Sequence, residues 1–211
     1  MKKLFLIMMV VSTLAPVIAQ DDETIEIKTR NDGEMKTLLG NSNVIGGYGG
    51  LSILYSEING KDGFCFGARG AAIMGHSFAL GFGGSGFVTD IFFDNALATD
   101  VSIAGGYGGL FFEPIILPKF PVHVAIPVLI GVGGVVYSSV SDKWNQDWFV
   151  EDSEAFFVVE PGVELELNVT KFFRFSLGAY YRYTSNIQLQ NSPEDLLNGF
   201  SYGVNFKFGV F

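Results

Sequence analysis

Glu164 and Glu166, two residues apart, with Glu160 four before the first, are the residues best placed to do chemistry. In an extended strand residues two apart share a face, so the three acids form a row. A close carboxylate pair suits acid–base attack on a glycosidic bond. Against that, Arg174 stands on the next stretch of chain where it can face the row, and Arg182, Arg69 and Lys207 supply further positive charge. The expected role is therefore an ion network joining Glu160, Glu164 and Glu166 to Arg174 and Arg182, extended by Arg69 and Lys207. If Val169-Thr170-Lys171 forms a three-residue connection, Asn168 pairs with Phe172 and Glu166 with Arg174.

Other candidates carry less. The two histidines, His76 and His123, have no metal-ligand spacing, and turn or interface positions suit them. Gly81-Phe82-Gly83-Gly84-Ser85-Gly86 matches a dinucleotide fingerprint in form. That motif needs a helix after it, and Phe87-Val88-Thr89 continues as a strand instead. Trp144 and Trp148, four apart in the polar stretch 142–153, suit either a carbohydrate-stacking surface or anchoring at a membrane rim, where such rings gather. The single cysteine, Cys65, has no internal partner for a disulfide. These observations lead to no enzyme, no metal and no cofactor.

The elements that hold these residues are strands. Hydrophobic residues make up 48% of the chain and charged residues only 17%, with 21 Phe and 27 Gly. That balance is high in apolar residues for a soluble protein, yet they do not form helix-length blocks. The longest apolar run past the start, 121–136, contains Pro127, Gly131, Gly133 and Gly134, too many breakers for a membrane helix. From residue 44 the chain divides into eight segments: 44–56, 63–74, 77–91, 100–112, 122–139, 154–168, 172–184 and 199–211. Within them polarity alternates. In the last, Phe200, Tyr202, Val204, Phe206, Phe208 and Val210 share one face, and Ser201, Gly203, Asn205, Lys207 and Gly209 the other.

One wide apolar face fits a soluble sandwich, a lipocalin-like barrel or a membrane barrel. The opposite face separates them: small residues mixed with balanced charges suit the crowded interior of a narrow barrel better than a solvated surface. The expected fold is an eight-stranded antiparallel up-and-down transmembrane β-barrel. The longer polar breaks, 92–99, 142–153 and 185–198, fall at one end and the tight ones at the other, with 113–121 the exception.

Ahead of the barrel, Lys2 and Lys3, the apolar run 4–11 and Val17-Ile18-Ala19 form a signal peptide over 1–19. A polar arm, 20–43, then leads into the barrel, 44–211. Loss of Lys2 and Lys3 with the signal takes the formal net charge from -9 to -11, which disfavours nucleic acid as a partner.

The strand pattern and the aromatic terminus resemble the small outer-membrane β-barrel families of the OmpA and OmpX type. The nearest local match is Pro161-Gly162-Val163-Glu164-Leu165-Glu166-Leu167-Asn168-Val169-Thr170-Lys171-Phe172-Phe173-Arg174-Phe175, continuing to Tyr180-Tyr181-Arg182-Tyr183, which looks like the penultimate hairpin of such barrels. The resemblance implies location in the cell outer membrane, contact with outer-membrane lipid, and insertion by the outer-membrane assembly machinery through the last strand. One feature departs from it: the apolar face is even-numbered and Phe211 is odd, and a bulge at Gly209 would restore the phase. The function expected is non-enzymatic, structural or in surface interaction through extracellular loops. The alternative is a narrow pore or carrier for small or apolar ligands. No ligand is named by the sequence.

Overall fold

Alternating polarity persists in three dimensions as ten strands: β1 (Val44–Ile58), β2 (Lys61–Met74), β3 (Phe78–Thr89), β4 (Phe92–Asp94), β5 (Thr99–Ile116), β6 (Val122–Ala125), β7 (Val128–Val140), β8 (Trp148–Thr170), β9 (Phe173–Thr184) and β10 (Gly199–Val210). The structure is a computed structural model that describes residues 44–95, 98–140, 148–189 and 192–211. The expected signal peptide and arm, residues 1–43, and Trp144 lie outside the described residues, as does the side chain of Trp148.

Eight of these strands close a ring. In antiparallel pairs it runs β1, β2, β3, β5, β7, β8, β9, β10 and back to β1. Short β4 continues the β3 side against β5, and short β6 lies between β5 and β8 below β7. Closure pairs the backbone donors and acceptors around the circumference and leaves no sheet edge within the ring, the condition for a β-structure to sit in hydrocarbon.

Both chain ends of the barrel lie at one mouth, the terminal mouth. Asn59-Gly60 makes the tight turn of the first hairpin at the opposite, far end. Both residues take positive φ, 51° and 69°, the geometry whose twist matches that of the flanking strands and which an Asn-Gly pair adopts readily.

The faces separate cleanly. Phe82 is 70% exposed, Phe157 71% and Val210 65%, while Arg182, Glu164 and Glu166 are wholly buried. Exposed aromatic and aliphatic side chains ring the outside, and the charges lie within. A water-soluble barrel has the reverse arrangement, since an apolar surface this extensive is unstable in water. The fold is an eight-stranded antiparallel transmembrane β-barrel.

Four local expectations are corrected. The connection at 113–121 shortens to 117–121, because β5 runs on through Pro114 to Ile116 and β6 begins at Val122. The stretch 142–153 is strand from Trp148 onward, with 141–147 outside the described residues. The stretch 185–198 does not stand out as a polar loop: Ile187, Leu189, Leu196 and Leu197 are buried, and the segment folds back into the far mouth, where the Leu197 carbonyl accepts a hydrogen bond from Arg182 Nε at 2.8 Å.

The fourth concerns Gly209. It stays in register opposite Tyr48, and β10 shows no shift against β1. A Cβ at Gly209 would lie 2.2 Å from the Gly47 carbonyl oxygen, so glycine serves close strand approach there and makes no bulge. Phe211 keeps its odd phase, turns over the terminal mouth and stacks on Tyr48 at 5.9 Å between ring centroids.

Candidate functional site

The polar residues that alternation turns inward meet in the barrel lumen. Inward-facing Glu160, Glu164 and Glu166 of β8 and Arg174 and Arg182 of β9 share the interior with Arg69 of β2 and Lys207 of β10. Glu113 of β5 joins them. Four carboxylates and four cations therefore balance, which is what burial in a low-dielectric space demands.

Lys207 is the hub. Its Nζ lies 2.8 Å from Glu113 Oε2, 3.0 Å from Glu164 Oε2 and in contact with Glu166 Oε1. Arg69 Nη1 reaches Glu164 Oε1 at 2.7 Å. Glu164 also accepts from Ser176 Oγ at 3.0 Å and Tyr180 Oη at 2.5 Å, and Glu113 from Tyr48 Oη at 3.0 Å. The three carboxylates Glu113, Glu164 and Glu166 have oxygens within 4.8 Å of one another, a donor set able to hold a cation. The lysine ammonium takes that place.

Two members stand apart. Glu160 accepts from Tyr107 Oη, and Arg182 donates to the Leu197 carbonyl and to Ser56 Oγ at 3.3 Å. Among the described residues no ion pair within 4.0 Å joins Arg182 to a carboxylate. The paired acids are thus engaged by cations and hydroxyls.

The register of β8 against β9 differs from the expected one. Asn168 pairs with Arg174 and Glu166 with Ser176, and the ladder shifts between Asn168 and Thr170. The turn is the tighter Lys171-Phe172, and Val169 is the extra residue of a bulge. By itself a two-residue turn would send Arg174 outward; the bulge restores the phase, so Arg174 still faces in.

Sequence reasoning missed Glu113 and His123. His123 is buried, its Nε2 2.8 Å from Glu166 Oε2 and its Nδ1 without a partner. Glu113 falls in the stretch 113–121 read as a connection; its odd phase with Tyr107 and Phe111 is the signal that places it inside.

Small inward residues make the space that these polar groups fill. The Tyr180 ring lies across Gly162 and Gly178, where an added Cβ would fall 2.3 and 2.4 Å from atoms of Tyr180. Gly178→Ala is expected to displace Tyr180 from Glu164 and to lower stability by about 1–3 kcal/mol. Gly49→Ala, on the outer wall with nothing within 4 Å, should stay within about 0.5 kcal/mol. Urea unfolding in lipid vesicles checks both, and equal effects would mean that Tyr180 is not held as described.

No protein-family profile matches the sequence, and no curated protein does. Among solved structures the chain is similar to Neisserial surface protein A, with a TM-score of 0.52 and 10% identity over 80% of this chain and 98% of the other. It is also similar to the N-terminal β-barrel domain of Pseudomonas aeruginosa OprF, at 0.45 and 9% over 78% and 97%. A third similar structure is Ail, the attachment invasion locus protein of Yersinia pestis, at 0.42 and 13% over 78% and 96%. At these identities the likeness is one of fold, that of the small outer-membrane β-barrels.

Proposed function

We propose that this chain is an integral protein of the cell outer membrane, exported by residues 1–19, with a structural or surface-interaction role and no enzymatic one. The observation that carries this reading is the inverted barrel: balanced charges sealed inside, a continuous aromatic and aliphatic wall outside. Both ends of an even-stranded barrel fall at one mouth, which in this reading faces the periplasm. The far mouth then faces out, and outer-membrane lipid surrounds the wall. The last strand, β10, is the segment for the outer-membrane assembly machinery to recognise.

The surface for interaction is the sheet that stands above the far mouth. β8 pairs with β9 only from Val158 onward but begins at Trp148. Ser185, the residue after β9, still donates to the Phe157 carbonyl and Phe156 packs on Tyr107, so residues 148–155 run on against β7 alone, about 25 Å of strand at roughly 3.3 Å per residue. This projecting hairpin, with β5 on its other side, takes the part first expected of extracellular loops, since 185–198 is folded inward.

The lumen argues against an open pore. Side chains fill it, and the cavity beside Arg69, Leu129 and Tyr180 has a volume of only about 40 Å3, room for a water or two. The purified chain should fractionate with outer membranes, run faster unboiled than boiled on an SDS gel, and give no steady porin-like conductance in planar bilayers. Recovery in the soluble periplasmic fraction with unchanged mobility would reject the membrane role, and sustained conductance would revive the pore.

A further inference from the structure

Positive charge gathers at the terminal mouth. A cavity of about 620 Å3 there is bordered by His76, Lys119, Asn168, Lys171, Arg174 and Phe211, with no acidic side chain among its bordering residues. The chain as a whole carries a formal charge of -9, so such a concentration runs against its composition.

Arg174 shows that the collection is more than a solvated rim. Its side chain is 7% exposed, held under the Phe211 ring at 3.9 Å, and its Nε donates to nothing. Its Nη1 comes no nearer than 3.5 Å to Glu166, a carboxylate already engaged by Lys207 and His123. The 3.4 Å contact with His123 Nε2 cannot serve it while that nitrogen donates to Glu166. A buried guanidinium with this little compensation is out of keeping with the fully engaged Arg69 and Lys207 deeper in the lumen.

We propose that the terminal mouth binds a phosphate-class anion, with Arg174 as its buried anchor and Lys119 and Lys171 as its exposed clamps. The surroundings favour a lipid headgroup as the source. Val210 borders the same cavity and is 65% exposed on the outer wall, so a phosphate seated on the cations leaves its acyl chains against the apolar barrel. The lipid source rests on the membrane reading above; the anion site does not.

The test uses the full chain with two probes. Inorganic phosphate is titrated calorimetrically in detergent micelles. In parallel, nanodiscs of phosphatidylcholine and phosphatidylglycerol at four to one are dissolved and the retained lipids counted by native mass spectrometry. Enrichment of phosphatidylglycerol over its share is expected, its affinity relative to phosphatidylcholine falling about five-fold for each of Lys119→Gln and Lys171→Gln and the preference vanishing in Arg174→Gln. If Arg174→Gln fails to fold, the lysine variants, both at exposed positions, decide alone. Phosphate binding without lipid enrichment supports the site and assigns it to free phosphate. Neither binding, or unchanged enrichment in the double lysine variant or in a folded Arg174→Gln, overturns the site. The unboiled-gel mobility of the same samples reports separately on the barrel.

Discussion

Lys207→Met is expected to lower the unfolding free energy by about 3–5 kcal/mol, because it strands buried carboxylates that nothing else can neutralise. Glu113, Glu164 and Glu166 converge on this ammonium. Without it, Arg69 still serves Glu164 at 2.7 Å but stands 3.8 Å from Glu113, and Glu166 keeps only His123 and the long contact to Arg174. Adding Glu113→Gln and Glu166→Gln to Lys207→Met removes the uncompensated charge and should recover most of the loss. Denaturant unfolding in lipid vesicles, read as a mutant cycle, gives the coupling directly. Losses that add instead would show that the lysine does not bind these acids together.

Leu177→Arg should cost about 2–4 kcal/mol, the penalty for an arginine on the lipid face near the bilayer midplane. Leu177 sits in an unbroken outward row: it pairs with Leu165 on one side and Val204 on the other, Val204 pairs with Ile53, and Ile53 with Phe66. Hydrocarbon outside this row offers the guanidinium no partner. Were the wall in water, the same change would be a surface substitution worth about 0.5 kcal/mol or less. Leu177→Met, which conserves volume and polarity, should cost less than about 1.5 kcal/mol and so isolates the effect of charge.

The barrel was legible in the sequence because a period of two leaves a strong trace when one face must be greasy and the other polar. Phe200 to Val210 and Phe173 to Tyr183 show it residue by residue, and their faces stand where the alternation places them. What the pattern did not contain is the wiring between distant strands. Lys207 meets Glu113 across the lumen, 94 positions away in the chain, and no local spacing encodes that encounter. The two-residue turn and the bulge at Val169 were invisible for a related reason: together they move the register by two, which gives Arg174 Asn168 in place of Glu166 as its β8 partner and leaves its face the same. Proline commonly ends a strand, yet β5 carries Pro114 opposite Phe78, so the connection begins later than 113. The inward fold of 185–198 was hidden by its polar majority, since Ile187, Leu189, Leu196 and Leu197 follow no strand or helix period.

The most direct test of an inverted barrel is the environment of successive residues along β10. Single cysteines at Tyr202, Gly203, Val204, Asn205 and Phe206, introduced into a Cys65→Ser background and spin-labelled in lipid vesicles, report collision with oxygen dissolved in the bilayer and with a water-soluble nickel complex. High oxygen and low nickel accessibility at 202, 204 and 206, with both low at 203 and 205, is the predicted result. High nickel accessibility at the even positions would put the aromatic wall in water and contradict the membrane barrel.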